Sequence, residues 1–103
     1  MGTEVNDKAS LLIRLHENRD QIQSFGVKKL SLFGSFARDE RIHKKSDVDF
    51  LVDFKKGSHK FDNFMELAFF LEDLLGRRVE LLTRKSLSPY IGPKILKAAV
   101  NVI

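Results

Sequence analysis

The sequence predicts a small α/β (α+β) domain, in which helices flank a sheet of three strands. Two kinds of periodicity support this prediction. Apolar residues alternate with other residues in Asp47–Phe54, which is typical of a strand. They recur at helical spacing in Asp7–Ser24 and in Phe61–Leu75. A chain of 103 residues suffices for one compact core, so we expect a single domain over residues 1–103.

The predicted elements alternate in the order α-β-α-β-α-β-α. After the first helix, Gly26 is a plausible C-terminal stop, and Gly76 has the same role after the helix that begins at Phe61. Three strands make only a small sheet, so helices must cover at least one of its faces. The elements that follow the first helix are the strand Val27–Phe33, a short helix beginning near Ser35, the strand Asp47–Phe54, the helix Phe61–Leu75, the strand Arg77–Thr83 and the helix Pro93–Val100.

The aromatic residues of the longest predicted helix fit one helix face, and we expect them in the core rather than in a base-stacking platform. These residues are Phe61, Phe64, Phe69 and Phe70. Tyr90 lies outside the predicted elements. Its position is compatible both with stacking on a base and with capping the core.

The composition excludes several classes of protein. No cysteine occurs, which excludes disulfides, thiolate zinc sites and cysteine nucleophiles. No stretch approaches the roughly 20 apolar residues of a membrane helix, and the polar start of the chain is not a signal peptide, so we expect a cytoplasmic protein. The net charge of +4 suits a polyanion or solubility alone. On that charge alone, nucleic acid is not expected as a direct partner.

Two aspartates begin the strand Asp47–Phe54. Asp47 and Asp49 point to the same strand face, about 6.5–7 Å apart along the strand. Two carboxylates this close repel each other unless a cation lies between them, and Mg²⁺ prefers carboxylate and phosphate oxygens. The pair could therefore be half of a magnesium–phosphate site, or simply a solvated strand face. Asp53 lies on the same face one pleat further along, and we expect it to be structural or to support the two aspartates without binding the metal itself.

The other half of such a site could precede the pair. Gly34 permits a tight turn and the close approach of a ligand to the backbone. Ser35 offers a hydroxyl at the start of a helix, where anions bind favourably, and Arg38 could add a contact to a phosphate. A Gly-Ser pair after a strand is, taken alone, more often an ordinary turn and helix cap. The Gly-Ser pair and the Asp-x-Asp pair at this spacing indicate a nucleotide site more specifically than either pair does alone.

These residues carry a family resemblance. LFGSFARDE (residues 32–40) and SDVDFLVDF (residues 46–54) resemble the signature of the DNA polymerase β-type nucleotidyltransferase superfamily, a Gly-Ser pair followed by Asp-x-Asp. The resemblance is closer to the minimal nucleotidyltransferase branch and extends from about Val27 to the end of the chain. It implies the palm-like fold of that superfamily, a small mixed β-sheet flanked by helices.

The resemblance implies roles for these residues. Gly34 and Ser35 would hold the triphosphate of ATP, and Arg38 would contact a phosphate. Asp47 and Asp49 would bind two Mg²⁺ ions. In-line nucleotidyl transfer needs such a metal pair to neutralise phosphate charge and to lower the pKa of the attacking hydroxyl.

Glu80 matches the position of the superfamily's third carboxylate. The branch commonly has Asp there, so Glu80 is a departure from the pattern. The resemblance implies that Glu80 binds a metal or takes the proton of the attacking hydroxyl. The alternative is an ordinary surface pair with Arg77 or Arg78 on the same strand.

The resemblance also implies a partner. Members of this branch are antitoxins that transfer AMP from ATP onto a tyrosine of a HEPN-domain ribonuclease toxin. The nucleotide cradle uses most of this chain, so we expect the acceptor on another macromolecule, or a second copy that completes the site. The alternative is a binding-only antitoxin that masks its HEPN toxin by contact. The intact Gly-Ser and Asp-x-Asp motifs favour the enzyme, whereas Glu in place of the usual Asp at position 80 favours the binding-only antitoxin.

Overall fold

A computed structural model describes residues 3–103 of the chain, so the first two residues of the predicted domain lie outside the described part. Helices flank a four-stranded mixed sheet. The helices are α1 (Lys8–Glu17), α2 (Arg19–Gln23), α3 (Gly34–Arg38), α4 (Phe61–Leu75) and α5 (Gly92–Ala98). The strands are β1 (Val27–Phe33), β2 (Val48–Phe54), β3 (Val79–Leu82) and β4 (Val100–Asn101), and a 3₁₀ turn spans Arg84–Ser86.

The strand order across the sheet is β3-β2-β1-β4. β1 is antiparallel to both β2 and β4, whereas β2 and β3 are parallel. Residues that pair across neighbouring strands share a sheet face, so Leu32, Phe50 and Leu81 form one row on the face that the core covers. The next row along, on the opposite face, contains Asp49 and Glu80. The mixed α/β architecture that the sequence predicts is confirmed.

The core lies between one face of the sheet and the helices. α4 contributes Leu67, Leu71 and Leu75, which recur every four residues and are fully buried along one stripe of the helix. α1 begins at the side chain of Asp7, which accepts a hydrogen bond from the Ser10 amide at 2.8 Å. Within residues 3–103, none of the helices is both long and apolar enough to span a membrane.

Two of the predicted helices differ from the observed ones. The predicted helix Asp7–Ser24 is two helices, α1 and α2, because the chain leaves helical geometry at Asn18, whose amide side chain donates to the Arg14 carbonyl at 2.9 Å. The predicted helix Pro93–Val100 ends at Ala98. Val100 then begins β4, which adds a fourth strand to the three that were predicted.

The predicted burial of the α4 aromatic residues is half wrong. Phe61 and Phe69 are 76% and 59% exposed, whereas Phe64 and Phe70 pack against the core. Tyr90 is 85% exposed and therefore does not cap the core.

Candidate functional site

The residues predicted to hold a nucleotide meet at one end of the sheet. β1 ends at Phe33 and leads directly into α3, which begins with Gly34 and Ser35. β2 begins at Val48, directly after Asp47, and is antiparallel to β1. Phe33 consequently pairs with Asp49 across the two strands. The Gly-Ser turn and the Asp-x-Asp pair therefore lie side by side, although the intervening loop separates them in sequence.

Glu80 lies beside Asp49. The two residues pair across the parallel strands β2 and β3, so their side chains leave the same sheet face. Burial, the adjacent Glu80 carboxyl and the charge of Asp47 together raise the pKa of Asp49 from 3.8 to about 6, while Arg38 acts in the opposite direction. The three predicted metal ligands are thus close enough to interact, and their mutual repulsion disfavours the fully ionised state.

Gly34 has a conformation and a position that only glycine suits. Its φ angle is +76°, in the left-handed region. A Cβ atom there would lie 2.3 Å from Oδ2 of Asp49, well inside any real contact distance. The backbone of the Gly-Ser turn is therefore packed directly against the Asp49 carboxylate.

The chemistry of the three carboxylates suits a hard divalent cation. Carboxylate oxygens are preferred ligands of Mg²⁺, which usually completes its shell with water and substrate phosphates. In the described part of the chain, no three acidic or histidine side chains converge closely enough to hold an ion by themselves. Mg²⁺ bound through one or two carboxylates together with substrate phosphates is the kind of site that these side chains suit.

The remaining acidic and basic candidates are placed as follows. Arg38 ends α3, is exposed to solvent, and its charge reaches Asp49. Asp53 lies further along β2 and forms an ion pair with Arg84, with 3.1 Å between Oδ1 of Asp53 and Nε of Arg84. This contact is typical of a structural residue. Among residues 3–103, Glu80 forms no ion pair, so the alternative that it pairs with Arg77 or Arg78 is wrong.

Arg77 supports the loop before Asp47, a role that the sequence does not predict. Its side chain is buried, and Nη1 donates to the carbonyl oxygens of His43 and Ser46, each at 2.9 Å. Its guanidinium group also lies 5.0 Å from the centre of the Phe36 ring in α3. Arg77 thereby joins α3 to the loop that ends at Asp47. Arg77 directly follows the glycine that ends α4, and the sequence around it has no pattern that predicts its burial.

A basic cavity flanks Asp47. Its volume is about 330 Å³, and it opens beside the start of β2. The residues lining it are Glu4, Lys44, Lys45, Ser46, Asp47, Gly76, Arg77 and Arg78. Positive side chains next to a carboxylate pair suit a ligand that carries both phosphates and metal.

Comparison with known proteins identifies relatives over most of the chain. Residues 13–102 match a family model described as a nucleotidyltransferase domain. The chain is 42% identical over 78 residues to MJ0435, a candidate protein adenylyltransferase of Methanocaldococcus jannaschii, with 76% of this chain and 82% of the relative covered. It is 41% identical over 80 residues to the protein adenylyltransferase MntA of Thermococcus cleftensis, with 78% and 79% covered.

Solved structures share the fold. The structure of a candidate minimal nucleotidyltransferase superposes with a TM-score of 0.79 at 31% identity, covering 91% of this chain and 94% of that one. A nucleotidyltransferase antitoxin, solved with a tri-AMPylated HEPN toxin of Shewanella oneidensis, superposes with a TM-score of 0.63 at 17% identity, covering 90% and 71%. At that identity the second match shows a common fold alone. The resemblance carried by the Gly-Ser and Asp-x-Asp motifs is thus confirmed, and the chain belongs to the nucleotidyltransferase family, in its minimal branch.

Proposed function

We propose that the protein transfers AMP from ATP, in the presence of Mg²⁺, onto a tyrosine of a HEPN-domain toxin and thereby acts as its antitoxin. The observation that carries this proposal is the meeting of the Gly34–Ser35 turn with three carboxylates at one end of the sheet. Relatives at 41–42% identity are a protein adenylyltransferase and a candidate one. The fold is shared with an antitoxin that was solved with an AMPylated HEPN toxin.

Asp47, Asp49 and Glu80 would hold two Mg²⁺ ions together with the phosphates of ATP. What supports this assignment is the raised pKa of Asp49, because burial and neighbouring carboxyls disfavour its charge and a cation would relieve that repulsion. When bound, the metal would neutralise phosphate charge and lower the pKa of the attacking hydroxyl.

The turn after β1 would bind the triphosphate. The Ser35 hydroxyl can donate to phosphate oxygens, and Gly34, which has no side chain, leaves room for the Asp49 carboxylate beside them. The charge of Arg38 reaches Asp49, so its guanidinium could contact a phosphate bound beside that carboxylate.

The transfer step needs an acceptor from outside the nucleotide cradle. The tyrosine oxygen would form a bond to the α-phosphorus of ATP, while the bond from that phosphorus to the pyrophosphate oxygen breaks. Pyrophosphate leaves with the electron pair, and the tyrosine proton passes to the Glu80 carboxylate. Glu80 is exposed at the sheet end, so a protein side chain can reach it.

Intact-mass spectrometry of the HEPN partner tests the proposal. Incubation with ATP, Mg²⁺ and this protein should add the mass of at least one AMP to the partner. Asp47→Asn and Asp49→Asn should abolish the gain. Asp53→Asn, which removes the next acid on the same strand face, should leave it unchanged.

A binding-only antitoxin is distinguished by the same experiment. A partner that is silenced in the complex without any gain in mass would assign the protein to that class. Equal gains with the wild type and with both aspartate variants would also contradict the proposal. The presence of Glu at position 80 was the feature that favoured a binding-only antitoxin. Glu80 lies beside Asp49 and forms no ion pair within residues 3–103, which weakens that argument.

A further inference from the structure

Positive side chains are concentrated at the end of the sheet opposite Gly34 and Asp49. β1 begins where β2 ends because the two strands are antiparallel, and β3, parallel to β2, leads into Arg84 at the same end. Seven cations lie on these strand ends and on the turn that follows β2. This set, termed the distal basic surface, consists of Lys28, Lys29, Lys55, Lys56, Lys60, Arg84 and Lys85.

The distal basic surface accounts for the positive charge of the whole chain. Only Asp53 and Asp62 lie within two residues of these seven cations in the sequence, which gives a local net charge of +5. The rest of the sequence has 11 cations and 12 carboxylates, so it is close to neutral. Asp53 is already held by Arg84. Within residues 3–103, none of the other six cations forms an ion pair.

A groove crosses this surface. It consists of two cavities of about 230 Å³ and about 400 Å³, which adjoin because they share Asp53, Phe54 and Arg84 in their walls. The further lining residues are Val52, His59, Thr83 and Lys85 in the smaller cavity, and Lys28 and Lys29 in the larger one. The groove therefore has lysines at both ends and an aromatic wall between them.

The aromatic wall is a stacked pair. The rings of Phe54 and His59 are 5.4 Å apart between centroids and inclined by 12°. Phe54 is partly buried, and His59, which stacks on it, is exposed. Sequence-tolerant binding of single-stranded nucleic acid uses this combination, a positive groove for the backbone and an exposed ring on which a base stacks.

We propose that the distal basic surface binds single-stranded nucleic acid. Lysines at both ends of the groove contact phosphates, and a base stacks on His59. An acidic protein segment would use the same charges but would leave the stacked aromatic pair without a role. Asp53 lies four residues beyond Asp49 on β2, about 13 Å further along the strand, so this surface is separate from the carboxylate site.

Fluorescence anisotropy with a labelled oligouridine of about 12 nucleotides tests the proposal on the full chain. The double variant Lys28→Gln/Lys85→Gln should weaken binding about tenfold or more at about 50 mM salt, and should reduce the slope of log affinity against log salt by about 1.4. His59→Ala should weaken binding of the oligouridine several-fold. It should leave unchanged the binding of polyphosphate, which has no bases.

The matched control is Lys94→Gln/Lys97→Gln, which removes the same charge from exposed positions on α5. This control should bind the oligouridine within about twofold of the wild type. Equal weakening by the two double variants, or no binding by the wild type at low salt, overturns the proposal. The proposal is also overturned if polyglutamate binds more tightly than the oligouridine and His59→Ala has no effect. That result assigns the surface to an acidic protein. Circular dichroism establishes that each variant is folded.

Discussion

A side chain on Gly34 would collide with the carboxylate of Asp49. The distance from a Cβ atom at Gly34 to Oδ2 of Asp49 would be 2.3 Å. This contact joins the turn after β1 to the start of β2, the two halves of the signature that the sequence contains. Each half constrains the other, because the carboxylate can occupy its position only while the turn has no side chain.

Replacing Gly34 should therefore damage the site more than the fold. Gly34→Ala introduces strain of about 1–2 kcal/mol from the positive φ angle, and the added methyl group also displaces Asp49. We expect AMP transfer to fall by about 100-fold or more. Gly57→Ala is the matched control, since Gly57 has a φ angle of +84° but nothing within 4 Å of its Cβ position.

Gly57→Ala should lower the melting temperature to a similar extent and leave AMP transfer unchanged. Kinetic assays and thermal melts of both variants check this prediction. Equal loss of activity in the two variants would show that backbone strain, rather than the contact with Asp49, explains the effect.

The raised pKa of Asp49 predicts a pH-dependent stability of the metal-free protein. The pKa is shifted from 3.8 to about 6, chiefly by burial and then by Glu80, so the folded state holds this proton more tightly than the unfolded chain. Stability is therefore lost as the pH rises between those values, and the loss is complete above them. Asp49→Asn should increase the free energy of unfolding at pH about 8 and have little effect near pH about 4.

Urea denaturation in the presence of a chelator measures this difference. A variant that is less stable than the wild type at the higher pH would contradict the assigned repulsion.

Removing Arg77 should destabilise the protein strongly. Arg77→Met leaves the carbonyl oxygens of His43 and Ser46 without their buried donor, and we expect a loss of about 3 kcal/mol or more in the free energy of unfolding. Arg78→Met changes the exposed neighbour and should cost less than about 0.5 kcal/mol. Hydrogen exchange should also show faster opening of the loop before Asp47 in the first variant alone. Comparable melting temperatures for both variants would contradict this role of Arg77.

Glu80 should act through its carboxylate rather than through its length. Glu80→Gln should lower the rate of AMP transfer by about 100-fold or more, because the amide neither binds Mg²⁺ well nor accepts the acceptor's proton. Glu80→Asp keeps the carboxylate on a shorter side chain, and should retain activity within about tenfold of the wild type. Rate measurements at saturating ATP compare the two. Full activity of Glu80→Gln would remove Glu80 from the proposed chemistry.

The features that the sequence predicts correctly are those with a local signal. Period-two alternation locates β2 to within one residue of its observed start, and Gly76 ends α4 as expected. The order of the Gly-Ser and Asp-x-Asp motifs along the chain predicts one shared cradle, but it does not predict the register that places Phe33 opposite Asp49. The alternation of Asp47 and Asp49 on one strand predicts a carboxylate pair. The family resemblance adds Glu80 as the third carboxylate.

The features that the sequence did not predict depend on contacts between distant segments. β4 has only two residues and exists because it pairs with Ser31 and Leu32, so no periodicity marks it. Arg77 is buried because backbone carbonyls from the segment before α1 and from the loop before β2 converge on it. The distal basic surface emerges only when the strand ends meet, since its lysines are spread along the sequence as ordinary short charged stretches.

The most direct test of the proposed transfer is to follow each phosphate of ATP. The HEPN partner is incubated with this protein, Mg²⁺ and ATP labelled either at the α-phosphate or at the γ-phosphate. AMP transfer predicts that the partner gains the α-label alone, while the γ-label leaves in pyrophosphate. A partner that gains the γ-label, or neither label, would contradict the proposed function.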